Sequence, residues 1–237
     1  MWLRIGHRGA AGSRPELTAV AFERAIEIGV DMIELDVQLT RDRRLVVLHD
    51  TELGRTVSGR GAVRERDLAQ LQALDAGSWF DPTYAAARVM SLDEVIDQTR
   101  GRVALNVEIK GPAADWPSTA QVLAQLLDAT GQVDSVVVSS FAMGALQAVR
   151  ALGRQYRLAV LWHRANVDDA FRFAAQLEAE AIHPHYRLVS LRLVESAAKR
   201  GLAVNAWTVN EVPKMRKLVD LGVNGLISDH PERFAEV

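Results

Sequence analysis

Eight short apolar runs with strand-like composition recur along the 237-residue chain, and stretches with helical periodicity separate them. Parallel strands need a crossover connection of a dozen or more residues, and that connection is usually a helix. The alternation therefore predicts repeated βα units around a parallel sheet. Eight strands with seven or more intervening helices predict a (β/α)8 barrel, an α/β fold. The predicted strands are Leu3–His7, Met32–Val37, Val103–Ile109, Ser135–Ser139, Arg157–Leu161, Ala181–Pro184, Leu202–Thr208 and Gly225–Ser228.

Glycine follows many of the predicted helices. A glycine directly after a helix commonly takes the left-handed conformation, which ends the helix without a clash from a Cβ atom. Six glycines stand at this place in the cycle, which favours a repeating plan over unrelated flexible turns. These are Gly29, Gly101, Gly131, Gly153, Gly201 and Gly222. The predicted helices include Thr18–Ile28, Ser118–Ala129, Ala142–Leu152, Asp168–Glu178, Leu191–Lys199 and Val212–Leu221.

One long segment interrupts the cycle after the second strand. Residues from about 51 to 90 are rich in charge and turn residues, which predicts a small insertion on the barrel rim. The segment ends at Ser91-Leu92-Asp93-Glu94, which matches a capping box and predicts a helix from Leu92 to about Thr99. A chain of this length with 49% hydrophobic residues can bury one large core. We therefore expect residues 1–237 to form a single domain with that insertion.

The apolar run Leu45–Leu48 does not fit the βα cycle. Residues 39 to 44 are too few for a parallel crossover, but they are enough for a hairpin. If Thr40 pairs with Leu45 across a four-residue turn, Asp36 lies directly opposite His49. Directly paired residues point to the same side of a sheet, so this register predicts that the hairpin brings His49 beside Asp36.

Overall composition gives no support for several classes of partner, although a local positive site remains open. The 28 Lys and Arg residues nearly balance the 30 Asp and Glu residues, so no net basic charge favours nucleic acid or a membrane surface. The chain has no cysteine, which excludes disulfides and thiolate zinc sites. The first motif begins at His7, too early for the apolar centre of a signal peptide, and no run approaches the roughly 20 apolar residues of a membrane span. We expect a cytoplasmic protein with no membrane insertion.

Three carboxylates are predicted to point into the mouth of the barrel. Glu34 and Asp36 are two residues apart on one strand, so both face the same side. The same alternation places Asn106, Glu108 and Lys110 on one face of the next barrel strand. Burying three carboxylates together is very costly unless a cation neutralises them, and Mg²⁺ and Ca²⁺ both prefer oxygen ligands. The pattern therefore predicts one divalent cation, either Mg²⁺ or Ca²⁺.

Two histidines and two basic side chains accompany these carboxylates. His7 and His49 both follow apolar runs, at the rim where active sites of such barrels lie. Histidine titrates near neutral pH, so two of them beside a bound phosphate can take up one proton and give another. Arg8 offers a bidentate clamp for phosphate, and Lys110 offers a point charge. A buried ionic network of these cations with the acids explains any single pair, but it does not explain both histidines.

Other residues near strand ends carry weaker signals. Trp207 shares the inward face with Asn205, which indicates either an aromatic that fills the barrel or a wall of the substrate pocket, and we favour the wall. Asp229 follows the last strand and is expected to cap the closing helix rather than bind a ligand. His183 ends another strand, but it gives only weak support for a second metal site.

Several motifs occur in the order found in one enzyme family. The chain resembles the glycerophosphodiester phosphodiesterases, and the resemblance covers nearly its whole length. No single tripeptide is specific, but the combination is. The motifs are His7-Arg8-Gly9, Pro15-Glu16-Leu17-Thr18, Glu34-Leu35-Asp36-Val37, Thr40-Arg41-Asp42, His49-Asp50, Glu108-Ile109-Lys110 and Ala206-Trp207-Thr208-Val209.

The resemblance implies a (β/α)8 barrel with a small insertion after its second strand. It also implies metal-dependent hydrolysis of glycerophosphodiesters, the deacylated remains of phospholipids, to sn-glycerol 3-phosphate and an alcohol. Each candidate residue then has a role: Glu34, Asp36 and Glu108 bind the metal, His7 and His49 form the acid–base pair, Arg8 and Lys110 hold phosphate, and Trp207 lines the glycerol side.

Two positions depart from the family pattern or are ambiguous. The family usually carries Asn where this chain has Leu17, so a polar contact of that amide is absent or replaced. Glu16 either orients Arg8 or the metal ligands, or it stabilises the first turn of the following helix.

Two other functions compete with the main interpretation. One is a phosphodiesterase of the same architecture that cleaves lysophospholipids, which an exposed apolar rim around the insertion would favour. The other is a non-catalytic protein that binds phosphoesters, and the presence of all the candidate catalytic residues argues against it. The sequence leaves open the preferred alcohol, the oligomeric state, which histidine is the acid, and whether the nucleophile is the glycerol 2-hydroxyl or water.

Overall fold

Parallel strands close into a barrel in the computed structural model of the protein, which describes residues 2–237. These residues form ten strands, eight of which build the barrel. In chain order the strands are β1 (Leu3–His7), β2 (Met32–Leu39), β3 (Leu45–Val47), β4 (Met90–Ser91), β5 (Ala104–Ile109), β6 (Val136–Ser140), β7 (Arg157–Trp162), β8 (Ala181–Pro184), β9 (Ala203–Ala206) and β10 (Gly225–Ser228). The first strand pairs in parallel with both β2 and β10, which closes the ring and confirms the predicted (β/α)8 barrel.

Helices connect the barrel strands and cover their outer faces. Within residues 2–237 the α-helices are α1 (Ala19–Ile28), α2 (Leu68–Gln72), α3 (Leu92–Thr99), α4 (Trp116–Thr130), α5 (Met143–Arg150), α6 (Val167–Leu177), α7 (Leu191–Ala198) and α8 (Val212–Asp220), of which α2 lies apart from the barrel helices, in the segment between β3 and β4. The predicted capping box is present, because Ser91 Oγ accepts from the Glu94 N–H at 3.3 Å and Glu94 Oε2 accepts from the Ser91 N–H at 2.8 Å. No helix in this described part of the chain is long and apolar enough to cross a bilayer.

The left-handed glycines largely follow the prediction, with one exception. Five of the six have φ angles between 65° and 86°. Gly153 is the exception: α5 ends three residues earlier, at Arg150, and Gly153 has no positive φ. The helix α6 ends instead at Glu178, a non-glycine residue with φ 49°, which the sequence pattern does not reveal.

The strand register places the acidic residues at one end of the barrel. Glu34 lies opposite Asn106, and Asp36 lies opposite Glu108, between the neighbouring parallel strands β2 and β5. Their side chains alternate with Ile33, Leu35 and Val107, which are fully buried in the core between the barrel and its helices. Alternation along a strand therefore separates the hydrophobic outer face from the polar mouth.

The hairpin after β2 is present, but its register differs from the predicted one by one residue. Leu39 lies opposite Leu45, so the partner of Asp36 is Leu48 and not His49. The Leu48 N–H donates to the Asp36 carbonyl at 3.0 Å. The turn has three residues rather than four, because Arg43 adopts the left-handed conformation with φ 58°. Such a position usually carries Gly or Asn, so an arginine there is no signal for the tighter turn.

A buried amide guides the chain from β3 to the site. Gln38 Nε2 donates to the carbonyls of Leu48 at 2.8 Å and Asp50 at 2.8 Å, with His49 at 3.2 Å. Gln38 itself is buried. Because three consecutive carbonyls converge on one amide, the backbone bends at His49, and this bend brings the imidazole to the barrel mouth despite the shifted register.

The segment between β3 and β4 packs around an apolar cluster separate from the main core. It returns to the barrel through β4, which pairs antiparallel with β3, a pairing that the sequence did not predict. This arrangement attaches the segment to the rim through β3. The buried cluster contains Val46, Leu48, Leu53, Val57, Val63, Leu68, Leu71, Ala76 and Val89.

Replacing Gln38 by Met tests the amide contacts. Met has a similar length but no hydrogen-bond donor, so the Leu48 carbonyl loses its partner in a buried place. We expect the free energy of unfolding to fall by about 1–3 kcal/mol in a denaturant titration. Gln98→Met removes an amide contact to the Ala19 carbonyl at an exposed place and is expected to cost less. An equal loss in the two variants would contradict this account.

Candidate active site

A cavity of about 160 Å³ opens at the carboxyl ends of the barrel strands. It brings together seven of the nine predicted site residues. Asp36 is buried beside it, and Glu16 lies behind Arg8. The lining residues are His7, Arg8, Glu34, His49, Glu108, Lys110, Phe141, Leu161, Trp207, Thr208 and Ile227.

The three carboxylates form a compact buried group. One oxygen from each of Glu34, Asp36 and Glu108 lies within 4.8 Å of the others, and all three residues are at most 5% exposed. Burial, reinforced by the charge of Asp36, raises the pKa of Glu34 to about 7 and that of Glu108 to about 8. Burial also acts on Asp36, but Lys110 and Arg8 outweigh it and hold the pKa of Asp36 below its usual range.

Two positively charged side chains contact this acidic group, but they do not neutralise it. Lys110 Nζ lies 2.7 Å from Glu108 Oε1 and 3.3 Å from Asp36 Oδ1, and Arg8 Nε lies 3.3 Å from Asp36 Oδ2. Neither oxygen of Asp36 has a hydrogen-bond partner. Buried polar atoms normally have partners, so the ionic network is incomplete by itself. The acidic group can therefore hold a metal ion.

Arg8 is held from both its backbone and its side chain. Its backbone has a left-handed φ of 53°, and its N–H donates to Glu34 Oε2 at 3.1 Å. Its guanidinium Nη1 donates to Glu16 Oε1 at 2.8 Å. Of the alternatives for Glu16, the geometry shows contact with Arg8, while the N-terminal residues of α1 lie three positions further along the chain. The backbone conformation thus aims the Arg8 side chain into the cavity wall.

His7 is oriented by a carboxylate from the other end of the chain. Its Nδ1 lies 2.6 Å from Asp229 Oδ1, and Asn210 Nδ2 donates to Asp229 Oδ2 at 2.6 Å. Its Nε2 lies 3.7 Å from Glu34 Oε2. Burial lowers the pKa of His7, but Glu34 and Asp229 outweigh burial and raise the pKa above its usual value. The expectation that Asp229 caps the closing helix is wrong, because the side chain binds His7 instead.

His49 is oriented by its neighbour Asp50. The His49 Nδ1 lies 2.7 Å from Asp50 Oδ1, which leaves Nε2 as the second ring nitrogen of an imidazole that lines the cavity. Burial is the largest influence and lowers the pKa of His49, although Asp36 raises it. The two histidines share one arrangement, a carboxylate on Nδ1, but their pKa values shift in opposite directions.

Trp207 lines the cavity directly after β9. Its Nε1 donates to the His183 carbonyl at 2.7 Å, which fixes the indole plane. Its ring meets Phe141 and His185 edge to face, with centroids 5.2 Å away in both pairs. The half-buried indole borders the cavity and also packs against the buried apolar cluster that includes Ile5 and Ile227.

His183 lies inside the barrel below Trp207. Burial lowers its pKa to about 4, and its Nε2 lies 3.0 Å from Asn205 Nδ2. His183 lines a different cavity, beside Ala181 and Ala203 at the amino ends of the strands. Among the described residues, the group of Glu34, Asp36 and Glu108 is the one with metal-ligand spacing, so the weak suggestion of a second metal site at His183 gains no support.

Several residues that support the site were not predicted in these roles from the sequence. Asp50 directly follows His49, and this adjacency was an available signal. Asp229 also had a signal, because it ends the last barrel strand. Gln38 and Arg55 had none, since their contacts depend on how the chain folds between β3 and β4.

Comparison with known proteins is consistent with this geometry. A glycerophosphodiester phosphodiesterase of Caldanaerobacter subterraneus is 35% identical over 231 residues, which cover 97% of this chain and 95% of the relative. A putative glycerophosphodiester phosphodiesterase of Bacillus subtilis is 37% identical and covers 96% and 94%.

Solved structures agree in fold over the full length. An Oleispira antarctica phosphodiesterase in complex with the product sn-glycerol-3-phosphate superposes with a TM-score of 0.92 at 28% identity, covering 98% of this chain and 94% of that one. A glycerophosphodiester phosphodiesterase of Agrobacterium tumefaciens gives 0.88 at 29% identity, with complete coverage of both chains. The sequence profile of the glycerophosphoryl diester phosphodiesterase family matches residues 7–233. The chain therefore belongs to the glycerophosphoryl diester phosphodiesterase family.

Proposed function

We propose that this phosphodiesterase hydrolyses glycerophosphodiesters to sn-glycerol 3-phosphate and an alcohol, with one divalent cation and with His7 and His49 as its acid–base pair. One observation carries the proposal: two histidines, each held at Nδ1 by its own carboxylate, line the same small cavity as two buried carboxylates and two basic side chains, with the third carboxylate, Asp36, buried beside it. The cavity therefore places two side chains that can transfer protons next to the groups that can bind a charged phosphate.

The proposed metal ligands are Glu34, Asp36 and Glu108. Their oxygens suit Mg²⁺ and Ca²⁺ equally well in type, and three carboxylates exceed the positive charge of Arg8 and Lys110. The unpartnered oxygens of Asp36 and the raised pKa values of Glu34 and Glu108 support the fit. When bound, the cation supplies positive charge to the phosphodiester oxygens as negative charge develops on them.

Arg8 and Lys110 are the side chains proposed to bind the phosphate group of the substrate. Both line the cavity, and both are oriented before substrate arrives by the contacts described above. Fixed donors aimed at developing charge need no reorganisation during the reaction, so they stabilise the transition state efficiently. We propose that Trp207 borders the glycerol moiety, since an apolar wall excludes water from one side of the cavity.

The histidines move protons at their Nε2 atoms. A carboxylate on Nδ1 keeps the proton there and leaves Nε2 free to accept a proton when the ring is neutral or to donate one when it is charged. In the proposed reaction, one histidine takes a proton from the nucleophile, which is the glycerol 2-hydroxyl or water. The other gives a proton to the oxygen of the leaving alcohol, and a cyclic phosphate trapped early would identify the first nucleophile.

Activity assays test the acid–base pair directly. With glycerophosphocholine as substrate, we expect His7→Ala and His49→Ala each to lower kcat by roughly 10²–10⁴-fold, because each removes one proton transfer. His163→Ala is the matched control, since this exposed histidine does not line the cavity. Full turnover in either site variant, measured as choline release, would refute the assignment.

Metal removal gives a second test, which depends on pH. In the metal-free protein, Glu34 and Glu108 keep their protons to about pH 7 and pH 8, while unfolded glutamates lose theirs near 4.5. Above about pH 4.5 the folded state then binds more protons than the unfolded state, so its stability falls as pH rises from about 4.5 to about 8. The raised pKa of His7 acts in the same direction.

We expect a saturating divalent cation to remove this decline, because the cation replaces the protons. The measurement is the free energy of unfolding at about pH 5 and at about pH 8, with chelator and with Mg²⁺ or Ca²⁺. Glu108→Gln should flatten the decline in chelator, whereas an exposed change such as Glu52→Gln should not. Stability that is unaffected by added cation, together with turnover that survives chelator, would exclude the metal role.

A further inference from the structure

Arg55 binds two carboxylates of the site region at once. It lies between β3 and β4, and about half of its side chain is exposed. Its Nε and Nη2 donate to the two oxygens of Asp50, at 2.5 and 3.1 Å. Its Nη2 and Nη1 donate to the two oxygens of Glu16, at 2.8 and 3.3 Å. The guanidinium is therefore used along two of its edges, each facing a separate carboxylate.

Both of these carboxylates also contact a residue that lines the cavity. Asp50 Oδ1 lies 2.7 Å from His49 Nδ1. Glu16 Oε1 accepts from Arg8 Nη1 at 2.8 Å. A continuous chain of contacts therefore leads from His49 through Asp50, Arg55 and Glu16 to Arg8. Its two ends are the proposed proton carrier and the proposed phosphate clamp, which come from different strands.

We propose that Arg55 is a positioning residue that fixes His49 and Arg8 relative to each other, so that the proton-transfer group and the phosphate ligand are set by a single guanidinium. This inference rests on the roles given to His49 and Arg8 under the proposed function. Arg55 lines no part of the cavity itself, so it acts through Asp50 and Glu16.

The chemistry of the bridge requires arginine. A guanidinium is planar and presents five N–H groups in a fixed fork, whereas an ammonium is a point charge that cannot face two carboxylates in two bidentate contacts. The hydrogen bonds of Arg55 are also the main reason that the pKa of Asp50 is lowered to about 2. Asp50 therefore stays ionised as the acceptor for the His49 Nδ1–H throughout the neutral range.

Removing the Arg55 side chain should lower activity more than it lowers the free energy of unfolding. Ion pairs of half-exposed arginines contribute little to folding, since water screens them and the side chain loses conformational freedom. Loss of a residue that orients a reacting group typically lowers activity by roughly 10–100-fold, even when the fold is intact. A purely structural role predicts the opposite balance.

The experiment compares Arg55→Met and Arg55→Lys with Arg41→Met in the full chain with added Mg²⁺ or Ca²⁺. Arg41 is a matched control, because it makes a bidentate pair with Asp67, at 2.9 and 2.6 Å, that does not reach the cavity. We expect Arg55→Met to lower kcat for glycerophosphocholine by roughly 10–100-fold. Arg55→Lys should recover little of that loss, and Arg41→Met should keep the kcat of the unmodified chain.

Two further measurements separate positioning from a folding defect. Guanidinium ion at millimolar concentration should restore part of the activity of Arg55→Ala, and methylammonium should not, because only the planar fork bridges the two carboxylates. Asp50→Asn keeps the shape of the side chain between Arg55 and His49 but removes its charge. This variant should show the same loss in kcat, so it tests the inference even if an Arg55 variant folds poorly. Melting curves of all variants are measured alongside.

The possible results are distinguishable. Turnover in folded Arg55→Met equal to that of Arg41→Met would overturn the inference, and full recovery in Arg55→Lys would show that charge without geometry is sufficient. Unchanged kcat in Asp50→Asn would overturn it as well. If His49→Ala itself has full activity, the proposed function fails. If His49→Ala loses activity and the Arg55 variants do not, only the positioning role fails.

Discussion

The energetic constraint behind the site is the burial of three carboxylates within 4.8 Å of one another. Removing like charges from water is strongly unfavourable, and two of the three respond by taking pKa values near neutrality. The other charged residues of the barrel mouth can be understood from the excess of negative charge that these carboxylates create. Lys110 and Arg8 reduce this excess of negative charge, the proposed cation would neutralise the remainder, and these positive groups are the ones proposed to bind phosphate.

Orientation is the second requirement, and the chain meets it twice in the same way. His7 and His49 each place Nδ1 against a carboxylate, but the carboxylates have different origins. Asp50 is the next residue in the chain, while Asp229 comes from beyond the last barrel strand. The repeated arrangement points to a common physical need: a fixed ring orientation and a defined position of the imidazole proton.

The sequence predicted those parts of the structure that depend on local periodicity. Alternation of apolar and polar residues was sufficient for the eight barrel strands and for the inward direction of Glu34, Asp36 and Glu108. It failed where a single backbone conformation decides the outcome, as at Arg43, whose left-handed φ shifts the hairpin by one residue. It was also silent on Gln38 and Arg55, because their partners are brought close only by the tertiary fold.

The contact between His7 and Asp229 joins residues 222 positions apart, and it lies at the seam where β1 and β10 close the ring. A ribosome-bound chain that has not yet synthesised this last strand contains every proposed metal ligand and both histidines, yet one imidazole lacks its orienting partner. The orientation of this imidazole, and with it the proposed proton transfer, is therefore set by the same event that closes the ring.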